Sequence, residues 1–224
     1  GVKYQIEFFL LGDEATLMID TSGVPLHKRG YRPEANAAPI RETLAAAIAT
    51  ISRPREEVLF WDPMCGSGTI AVEAAMLMNR IAPGKRRSFA AEAFPFVGEA
   101  LFRRAREEAE EGEIRSPFEV YASDIDPAAV ELTIKSAKRA GVNHAIRAFR
   151  ADCRKISAPG RRGTIVTNPP YGERLMTPHE AEELYRQMGA HFRSLAPWQV
   201  YVITSHPDFE RLYGKRADKV RKLY

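Results

Sequence analysis

The sequence contains no apolar run long enough to cross a bilayer as a helix, so we predict no membrane span. No basic segment followed by an apolar one opens the chain, and we therefore expect no export and a cytoplasmic location. Cys65 and Cys153 are the only cysteines, too few for a disulfide framework, which fits a reducing compartment. The five histidines are scattered without metal-ligand spacing, so no metal is predicted.

The composition is that of a globular protein. With 224 residues, of which 45% are hydrophobic and 28% charged, the chain suits one α/β domain of ordinary size. The net charge of +4 permits a polyanionic partner without demonstrating one. No internal repeat or low-complexity segment is evident.

The N-terminal part differs from the rest of the chain. Residues 4–11 and 15–20 are strand-like runs around a glycine turn and predict a β-hairpin. The stretch LHKRGYR, residues 26–32, has basic residues and a tyrosine that suit phosphate contact and base stacking, with a solvated loop as the alternative. We predict an appendage over residues 1–32, a remnant of a linker to a further RNA-binding domain, and a main domain over residues 33–224.

Short apolar runs alternate with helical periodicity through the main domain, which predicts a mostly parallel sheet with helices on both faces. The predicted strands cover residues 58–61, 118–122, 145–151, 164–167 and 199–204. The predicted helices cover residues 39–51, 69–81, 127–140, 179–195 and 207–213. The charged run 103–113 is typical of an exposed helix face, and the basic tail 215–224 could add an edge strand.

Polar residues follow the predicted strands, at the edge of an open α/β sheet where ligands bind. Asp62, Asp124, Asp152 and Asn168 each follow one strand. After Asp62 comes a glycine-rich turn, DPMCGSGT, in which the glycines allow close approach of a ligand. The turn lacks the lysine of a phosphate-binding loop and the spacing of a dinucleotide fingerprint. An acidic residue before it favours a cationic ligand over pyrophosphate.

The other two acidic residues complete a nucleoside site. Asp124 is placed to accept hydrogen bonds from both ribose hydroxyls, whereas the neighbouring Asp126 is better explained as a helix cap. Asp152 can accept from an exocyclic adenine amine, with a simple turn cap as the alternative. A nucleoside that carries a positive charge fits these residues, and S-adenosylmethionine is the obvious candidate.

Asn168-Pro169-Pro170-Tyr171 is the sharper motif. The prolines restrict the backbone so that the Asn168 side-chain oxygen and the Pro169 carbonyl can point at one spot, while Tyr171 offers a face to a planar ring. Two acceptors aimed at an exocyclic amine would direct its lone pair toward a methyl donor. Such chemistry needs alignment more than a strong base.

These motifs resemble a known family in their order along the chain. DPMCGSGT, the acidic strand end at residues 123–127, Asp152 and NPPYGER are similar to the motifs of class I S-adenosylmethionine-dependent methyltransferases that modify amino groups of bases. LHKRGYR, APIRETLAAA and NPPYGERL resemble more narrowly the bacterial THUMP-associated 23S ribosomal RNA guanine-N2 methyltransferases. The resemblance implies a Rossmann-like, seven-stranded sheet of order 3-2-1-4-5-7-6 with one antiparallel edge strand. It also implies a THUMP RNA-binding domain in the full-length chain.

The resemblance further implies the roles of individual residues. The implied cofactor-binding residues are Pro39, Asp62, Pro63, Cys65, Gly66, Ser67, Gly68, Thr69, Asp124, Ile125, Asp152, Cys153 and Asn168. The implied catalytic residues are Asn168, Pro169, Pro170 and Tyr171. The expected reaction moves a methyl group from S-adenosylmethionine to the N2 amine of a guanine in large-subunit ribosomal RNA and leaves S-adenosylhomocysteine.

Three alternatives remain open at the level of sequence. The same residues would serve an adenine-N6 methyltransferase acting on DNA or RNA, or a transfer RNA guanine-N2 methyltransferase. A non-catalytic RNA-binding module would keep the fold without the chemistry. A nucleophilic role for either cysteine is rejected, because such side chains are more often small buried fillers. The sequence does not predict an oligomeric state.

Overall fold

The computed structural model describes residues 1–32, 40–160, 162–171 and 176–223. The chain forms two compact units. The first unit comprises residues 1–30 and 80–114, and the second comprises residues 31–79 and 115–224. The division of the chain into a 1–32 appendage and a 33–224 main domain remains a prediction.

The second unit is built on a parallel sheet of five strands. In chain order these are β3 (Leu59–Asp62), β4 (Val120–Asp124), β5 (Ile146–Arg150), β6 (Gly163–Thr167) and β7 (Gln199–Val202). Their order across the sheet is β5-β4-β3-β6-β7, and every neighbouring pair is parallel. Strand β3, the first of this unit, lies in the centre of the sheet. The chain adds β4 and β5 on one side of it and β6 and β7 on the other, so the strand order reverses beside β3. This α/β, Rossmann-like arrangement confirms the predicted fold class.

The predicted count of seven strands is wrong for the described residues. The five strands correspond to the 3-2-1-4-5 part of the expected order. After helix α6 (Phe209–Tyr213), residues 214–223 form neither a strand nor a helix. This tail is mostly charged and largely exposed, so it has no alternating apolar side to bury against β7.

Helices pack on the sheet in two groups. Helices α1 (Glu42–Ile51), α2 (Thr69–Met78) and α4 (Pro127–Ala140) form one group, in which α2 and α4 contact β4 and β5. Helix α5 (Pro178–Ser194) and α6 form the other. The core of this second group consists of Leu59, Trp61, Cys153, Ile156, Ile165, Ala181, Tyr185, Met188, Phe192, Trp198, Leu212 and Tyr213. Burial of these apolar side chains holds the strand ends in fixed positions.

Helix α4 shows how local sequence sets element boundaries. Asp126 caps its start, since the Asp126 carboxylate accepts the N–H of Ala128 at 2.9 Å, and Pro127 occupies the first turn. Gly141 ends the helix in the left-handed conformation, with φ of 79°. The cap therefore explains Asp126, as predicted, and leaves Asp124 two residues earlier at the strand end.

The first unit contains an antiparallel hairpin of β1 (Ile6–Leu11) and β2 (Glu14–Ile19). It also contains a short 3₁₀ helix, Ala90–Ala93, and helix α3 (Glu99–Glu111), which buries no residue. The N–H of Ala91 donates to the carbonyl of Thr21 at 3.1 Å, so the two segments of the unit are joined by backbone hydrogen bonds. The charged run 103–113 is an exposed helical surface, as expected.

One face of the hairpin is entirely apolar and exposed. Cross-strand pairing places Ile6 opposite Ile19, Phe8 opposite Leu17 and Leu10 opposite Ala15 on that face. Leu17 is 76% exposed and Phe8 is 72% exposed. Contiguous apolar surface of this kind usually marks an interaction site.

The LHKRGYR stretch ends in the core of the second unit. Tyr31 is buried, and its hydroxyl donates to Glu73 at 2.7 Å. The guanidinium of Arg32 pairs with both carboxylate oxygens of Glu42, at 2.8 and 2.9 Å. Tyr31 is thus a core residue, and the base-stacking interpretation of this tyrosine is wrong.

Within the described ranges, no helix combines the length and apolar character needed to span a bilayer. The same part of the chain contains no group of three or more His, Cys, Asp or Glu side chains that could hold a metal ion.

Candidate active site

The four polar residues that follow the strands lie at one edge of the sheet. Asp62 is in register with Ala122 of β4, so it lies two residues before the level of Asp124. Asp152 follows β5, and Asn168 follows β6 directly. Because β5, β4, β3 and β6 are parallel neighbours, their carboxyl ends meet at the same edge.

The glycine turn after β3 is held by backbone hydrogen bonds. The N–H of Cys65 donates to the carbonyl of Ser123 at 3.0 Å, which ties the turn to β4. Gly66 and Gly68 adopt left-handed conformations, with φ of 53° and 79°. A Cβ on Gly68 would lie 2.7 Å from the Thr133 methyl carbon, whereas a Cβ on Gly66 would enter open space. The turn therefore packs on one side and leaves room for a ligand on the other.

Asp124 is positioned by this turn. One carboxylate oxygen accepts the N–H of Gly66 at 2.9 Å, and the other accepts the N–H of Asp126 at 3.0 Å. Each oxygen keeps acceptor capacity for a further donor, as two ribose hydroxyls would require. The adjacent Ile125 side chain is 56% exposed, and it offers an apolar surface beside the carboxylate.

Asp62 is buried beneath the turn, with only 1% of the residue exposed. The N–H of Met64 donates to it at 3.3 Å. The hydroxyl of Thr167 is buried near the carboxyl group but forms no hydrogen bond of normal geometry. The pKa of Asp62 is raised from 3.8 to about 7, mainly by burial and in smaller part by the nearby negative charge of Asp124. A cation near Asp62 would favour its ionised form.

Asp152 caps the 3₁₀ helix Cys153–Lys155, because its carboxylate accepts the backbone N–H of Arg154 at 3.0 Å. The Arg154 guanidinium binds the same carboxylate through two N–H groups, at 2.8 and 2.7 Å. These hydrogen bonds hold the pKa of Asp152 below its ordinary value. The turn cap that the sequence left open is therefore present, together with an ion pair that the sequence did not predict.

Both thiols are buried, which favours their protonated form. The Cys65 sulfur lies 3.3 Å from the Thr133 hydroxyl, and burial raises the pKa of the Cys65 thiol well above its ordinary value. Burial also raises the pKa of Cys153 to about 12. A thiol with a raised pKa is a poor nucleophile, which agrees with the rejection of that role.

The Asn168–Tyr171 segment is held by one internal hydrogen bond and by one from helix α5. The Tyr171 hydroxyl donates to the side-chain oxygen of Asn168. Tyr185 of α5 donates to the carbonyl of Pro170 at 2.7 Å. Pro169 is buried, and Asn168 is half-buried. The Asn168 oxygen is thereby oriented before any substrate arrives.

The remaining predicted residues fall into two sets. Pro63 and Thr69 are buried, and the hydroxyls of Ser67 and Thr69 lie 3.2 Å apart at the start of α2. Pro39 lies outside the described residues, as do residues 172–175 of the NPPYGERL motif. The assignment of each predicted residue to cofactor or substrate remains a prediction.

Three supporting residues were not predicted from sequence: Thr133, Arg154 and Tyr185. Thr133 and Tyr185 occupy core-facing positions of α4 and α5, and Arg154 follows a strand-end aspartate. Nothing in the local pattern distinguishes them from ordinary helical or turn residues, because their partners are distant in sequence.

The residues at this edge fit S-adenosylmethionine. A Cβ at Gly66 would meet nothing within 4 Å, so the backbone can be approached closely there. Asp124 has acceptor capacity for two hydroxyls, and exposed Ile125 can cover an apolar ring face. The sheet order and this polar edge are those of a Rossmann-like nucleoside-binding fold, the arrangement that class I methyltransferases use.

Comparison with known proteins gives the family. A family model described as RMKL-like, methyltransferase domain, matches residues 29–224. The chain belongs to this family of S-adenosylmethionine-dependent methyltransferases.

Among curated relatives, the chain is 42% identical over its whole length to YpsC of Bacillus subtilis strain 168, whose name describes a candidate RNA methyltransferase. It is 38% identical, over 95% of its length, to the ribosomal RNA large subunit methyltransferase K/L of Psychromonas ingrahamii. The chain spans 58% of the first protein and 29% of the second.

Solved structures support the same class. The crystal structure of SMU.472, described as a candidate methyltransferase complexed with S-adenosylhomocysteine, has a TM-score of 0.89 and 41% identity, covering 100% of this chain and 59% of that one. A Listeria monocytogenes protein described as a predicted N6-adenine-specific DNA methylase has a TM-score of 0.92 and 41% identity, covering 99% of this chain and 58% of that one.

Proposed function

We propose that the protein transfers a methyl group from S-adenosylmethionine to the exocyclic N2 amine of a guanine in large-subunit ribosomal RNA. The observation that carries this proposal is the oriented side-chain oxygen of Asn168, which lies at the same sheet edge as Asp124 and the glycine turn. The relatives named ribosomal RNA large subunit methyltransferase K/L support RNA as the substrate class.

Different residues along the sheet edge would bind different parts of the cofactor. Asp124 would accept the two ribose hydroxyls through the acceptor positions that Gly66 and Asp126 leave. The turn Asp62–Thr69 would hold the methionine part, with Pro39 and its neighbours closing over that end. Asp152 would accept from the adenine amine. When bound, S-adenosylmethionine supplies an electrophilic methyl group.

The target amine would meet Asn168 and Pro169. The side-chain oxygen of Asn168 and the backbone carbonyl of Pro169 would each accept one N–H of the amine, so its lone pair is directed at the methyl group. The Asn168 oxygen already accepts from Tyr171 and retains one further acceptor position. Tyr171 would pack on the base, which must leave its stack to reach the site. Water can take the released proton, since no strong base is needed.

The whole protein would act in the cytoplasm on ribosomal RNA, with an RNA-binding domain such as THUMP supplying much of the affinity. The second unit carries 23 Lys and Arg against 18 Asp and Glu, a mild positive charge that is compatible with RNA.

Replacement of Asn168 by alanine tests the proposal. We expect Asn168→Ala to reduce methyl transfer to ribosomal RNA by at least about a hundredfold, because loss of one oriented acceptor costs about 3 kcal/mol in such sites. Calorimetric affinity for S-adenosylhomocysteine should change less than about twofold. Asn143→Ala, at an exposed turn, is the matched control. Unchanged transfer by Asn168→Ala would remove the assignment.

A second candidate is adenine-N6 methylation of DNA or RNA. The description of the Listeria monocytogenes structure favours it, and the same acceptors would orient any planar amine. Two further alternatives are methylation of the N2 amine of a guanine in transfer RNA and a non-catalytic role as an RNA-binding module. Absence of S-adenosylhomocysteine binding by calorimetry would favour the non-catalytic module.

A further inference from the structure

Arg154 donates three hydrogen bonds to the carboxylate of Asp152, more than a simple surface ion pair needs. Its Nε donates to Asp152 Oδ1 at 2.8 Å, and its Nη2 donates to Oδ2 at 2.7 Å. Its own backbone N–H also donates to Oδ1, at 3.0 Å. Such parallel, charge-assisted contacts fix the plane of a carboxylate as well as its position.

The guanidinium is itself anchored from a different element. Its remaining terminal nitrogen, Nη1, donates to the side-chain oxygen of Gln187 on α5 at 3.0 Å. The Gln187 amide donates in turn to Glu183, one turn earlier on the helix, at 2.8 Å. Asp152 is therefore oriented by a chain of side chains that begins on α5 and ends at the strand edge.

This arrangement leaves little acceptor capacity on Asp152. A carboxylate has about four lone-pair positions. Oδ1 already accepts two N–H groups and Oδ2 accepts one. The side chain of Asp152 is 19% exposed, so part of the carboxylate is accessible to a ligand. One acceptor position, on Oδ2, remains for a ligand donor.

We propose that Arg154 is a positioning residue for nucleoside recognition, which presents Asp152 Oδ2 as a single acceptor and thereby selects an amino group at the nucleobase edge over a carbonyl. The proposal rests on the placement of the adenine at Asp152 under the proposed function. An exocyclic amine donates to this oxygen. A hypoxanthine, which carries a carbonyl at the same position, places two acceptors against each other.

The alternative role for Arg154 is purely structural, as a link between the Cys153–Lys155 turn and α5. The two roles differ in what they predict for ligand choice. A structural link, once removed, would weaken every nucleoside ligand equally. A positioning residue, once removed, would weaken the adenine ligand selectively, since Asp152 would keep its charge but lose its orientation.

The test is a calorimetric comparison of S-adenosylhomocysteine with its inosine analogue, S-inosylhomocysteine. We expect Arg154→Met to lower affinity for the adenine ligand about tenfold and affinity for the inosine ligand less than twofold, as expected for one oriented charge-assisted hydrogen bond. The affinity of Arg154→Lys for S-adenosylhomocysteine should lie between those of Arg154→Met and the wild type. Arg211→Met, at an exposed arginine of α6 paired with Asp208, is the matched control.

The possible outcomes distinguish the positioning role of Arg154 from the contact between the adenine and Asp152. An equal loss for both ligands, or no loss for either, in Arg154→Met overturns the role of Arg154. If Asp152→Asn leaves both affinities unchanged, the adenine does not contact Asp152, and the placement fails together with the inference. Gln187→Leu removes the anchor without touching the carboxylate, and a smaller selective loss is expected there. This variant keeps the test decisive if Arg154→Met folds poorly.

Discussion

The buried carboxyl group of Asp62 makes the stability of the protein depend on pH. Its folded-state pKa of about 7 lies above the ordinary value of 3.8, because burial disfavours the charge. Between these two pH values the folded protein binds a proton that the unfolded chain does not. The contribution of Asp62 to stability is thus fully present below pH 3.8, and it is lost as the pH rises to about 7.

The Asp62→Asn variant isolates this effect. Asparagine keeps an oxygen that can accept the N–H of Met64, but it cannot ionise. Its amide adds donors at a buried position, and that cost does not depend on pH. From pH 5 to pH 8 the wild type should therefore lose about 3 kcal/mol relative to the variant, since each pH unit below the folded pKa corresponds to about 1.4 kcal/mol.

Urea denaturation at pH 5, 6, 7 and 8, followed by tryptophan fluorescence, measures this difference. Most of the change should occur between pH 5 and 7, with little beyond. Other titrating groups contribute equally to both proteins and cancel in the comparison. A difference in unfolding free energy that stays constant across the four pH values would refute the assignment of a raised pKa to Asp62.

Two further predictions concern the glycine turn and the thiols. Gly68→Ala combines a left-handed backbone, φ 79°, with a contact of 2.7 Å to Thr133, so we expect a loss of about 2–4 kcal/mol in denaturant melts together with loss of S-adenosylhomocysteine binding. Gly160 has a similar φ of 73°, but a Cβ there would meet no atom within 4 Å. Gly160→Ala should therefore lower the free energy of unfolding by only about 1–2 kcal/mol and leave S-adenosylhomocysteine binding unchanged. Equal losses of stability in the two variants would contradict the steric argument. Both cysteines should react with an aromatic disulfide reagent at pH 8 only after unfolding, because burial raises the pKa of each thiol. Rapid labelling of the native protein would disprove this.

Elements with complete local signals were predictable from sequence. Helix α4 begins and ends where a cap, a proline and a glycine predict, at residues 127 and 140. The five strands of the second unit carry apolar runs that end in polar residues. The hairpin of the first unit was predictable, but the joining of residues 1–30 to residues 80–114 was not, because the pairing of Ala91 with Thr21 links segments some seventy residues apart and leaves no local pattern. The tail 214–223 had the charge of an exposed segment, and only its position suggested a strand.

The candidate site divides in the same way. Asp62, Asp124 and Asn168 could be found because parallel strands bring their carboxyl ends to one edge, so position in the chain predicts proximity in space. The residues that position these three side chains could not be found from the sequence. Thr133 fills the space beside Gly68, and Tyr185 holds the Pro170 carbonyl only because α4 and α5 pack where they do. Tertiary packing, not local pattern, decides such contacts.

The proposed reaction is methyl transfer to the N2 amine of guanine in ribosomal RNA. The protein is incubated with isotope-labelled S-adenosylmethionine and either ribosomal RNA from a strain lacking the gene or DNA. Each nucleic acid is then digested to nucleosides, and the labelled base is identified by mass spectrometry. The label should appear in N2-methylguanosine from ribosomal RNA, and Asn168→Ala should abolish it. Label in N6-methyladenine, or in no base of either nucleic acid, would contradict the claim.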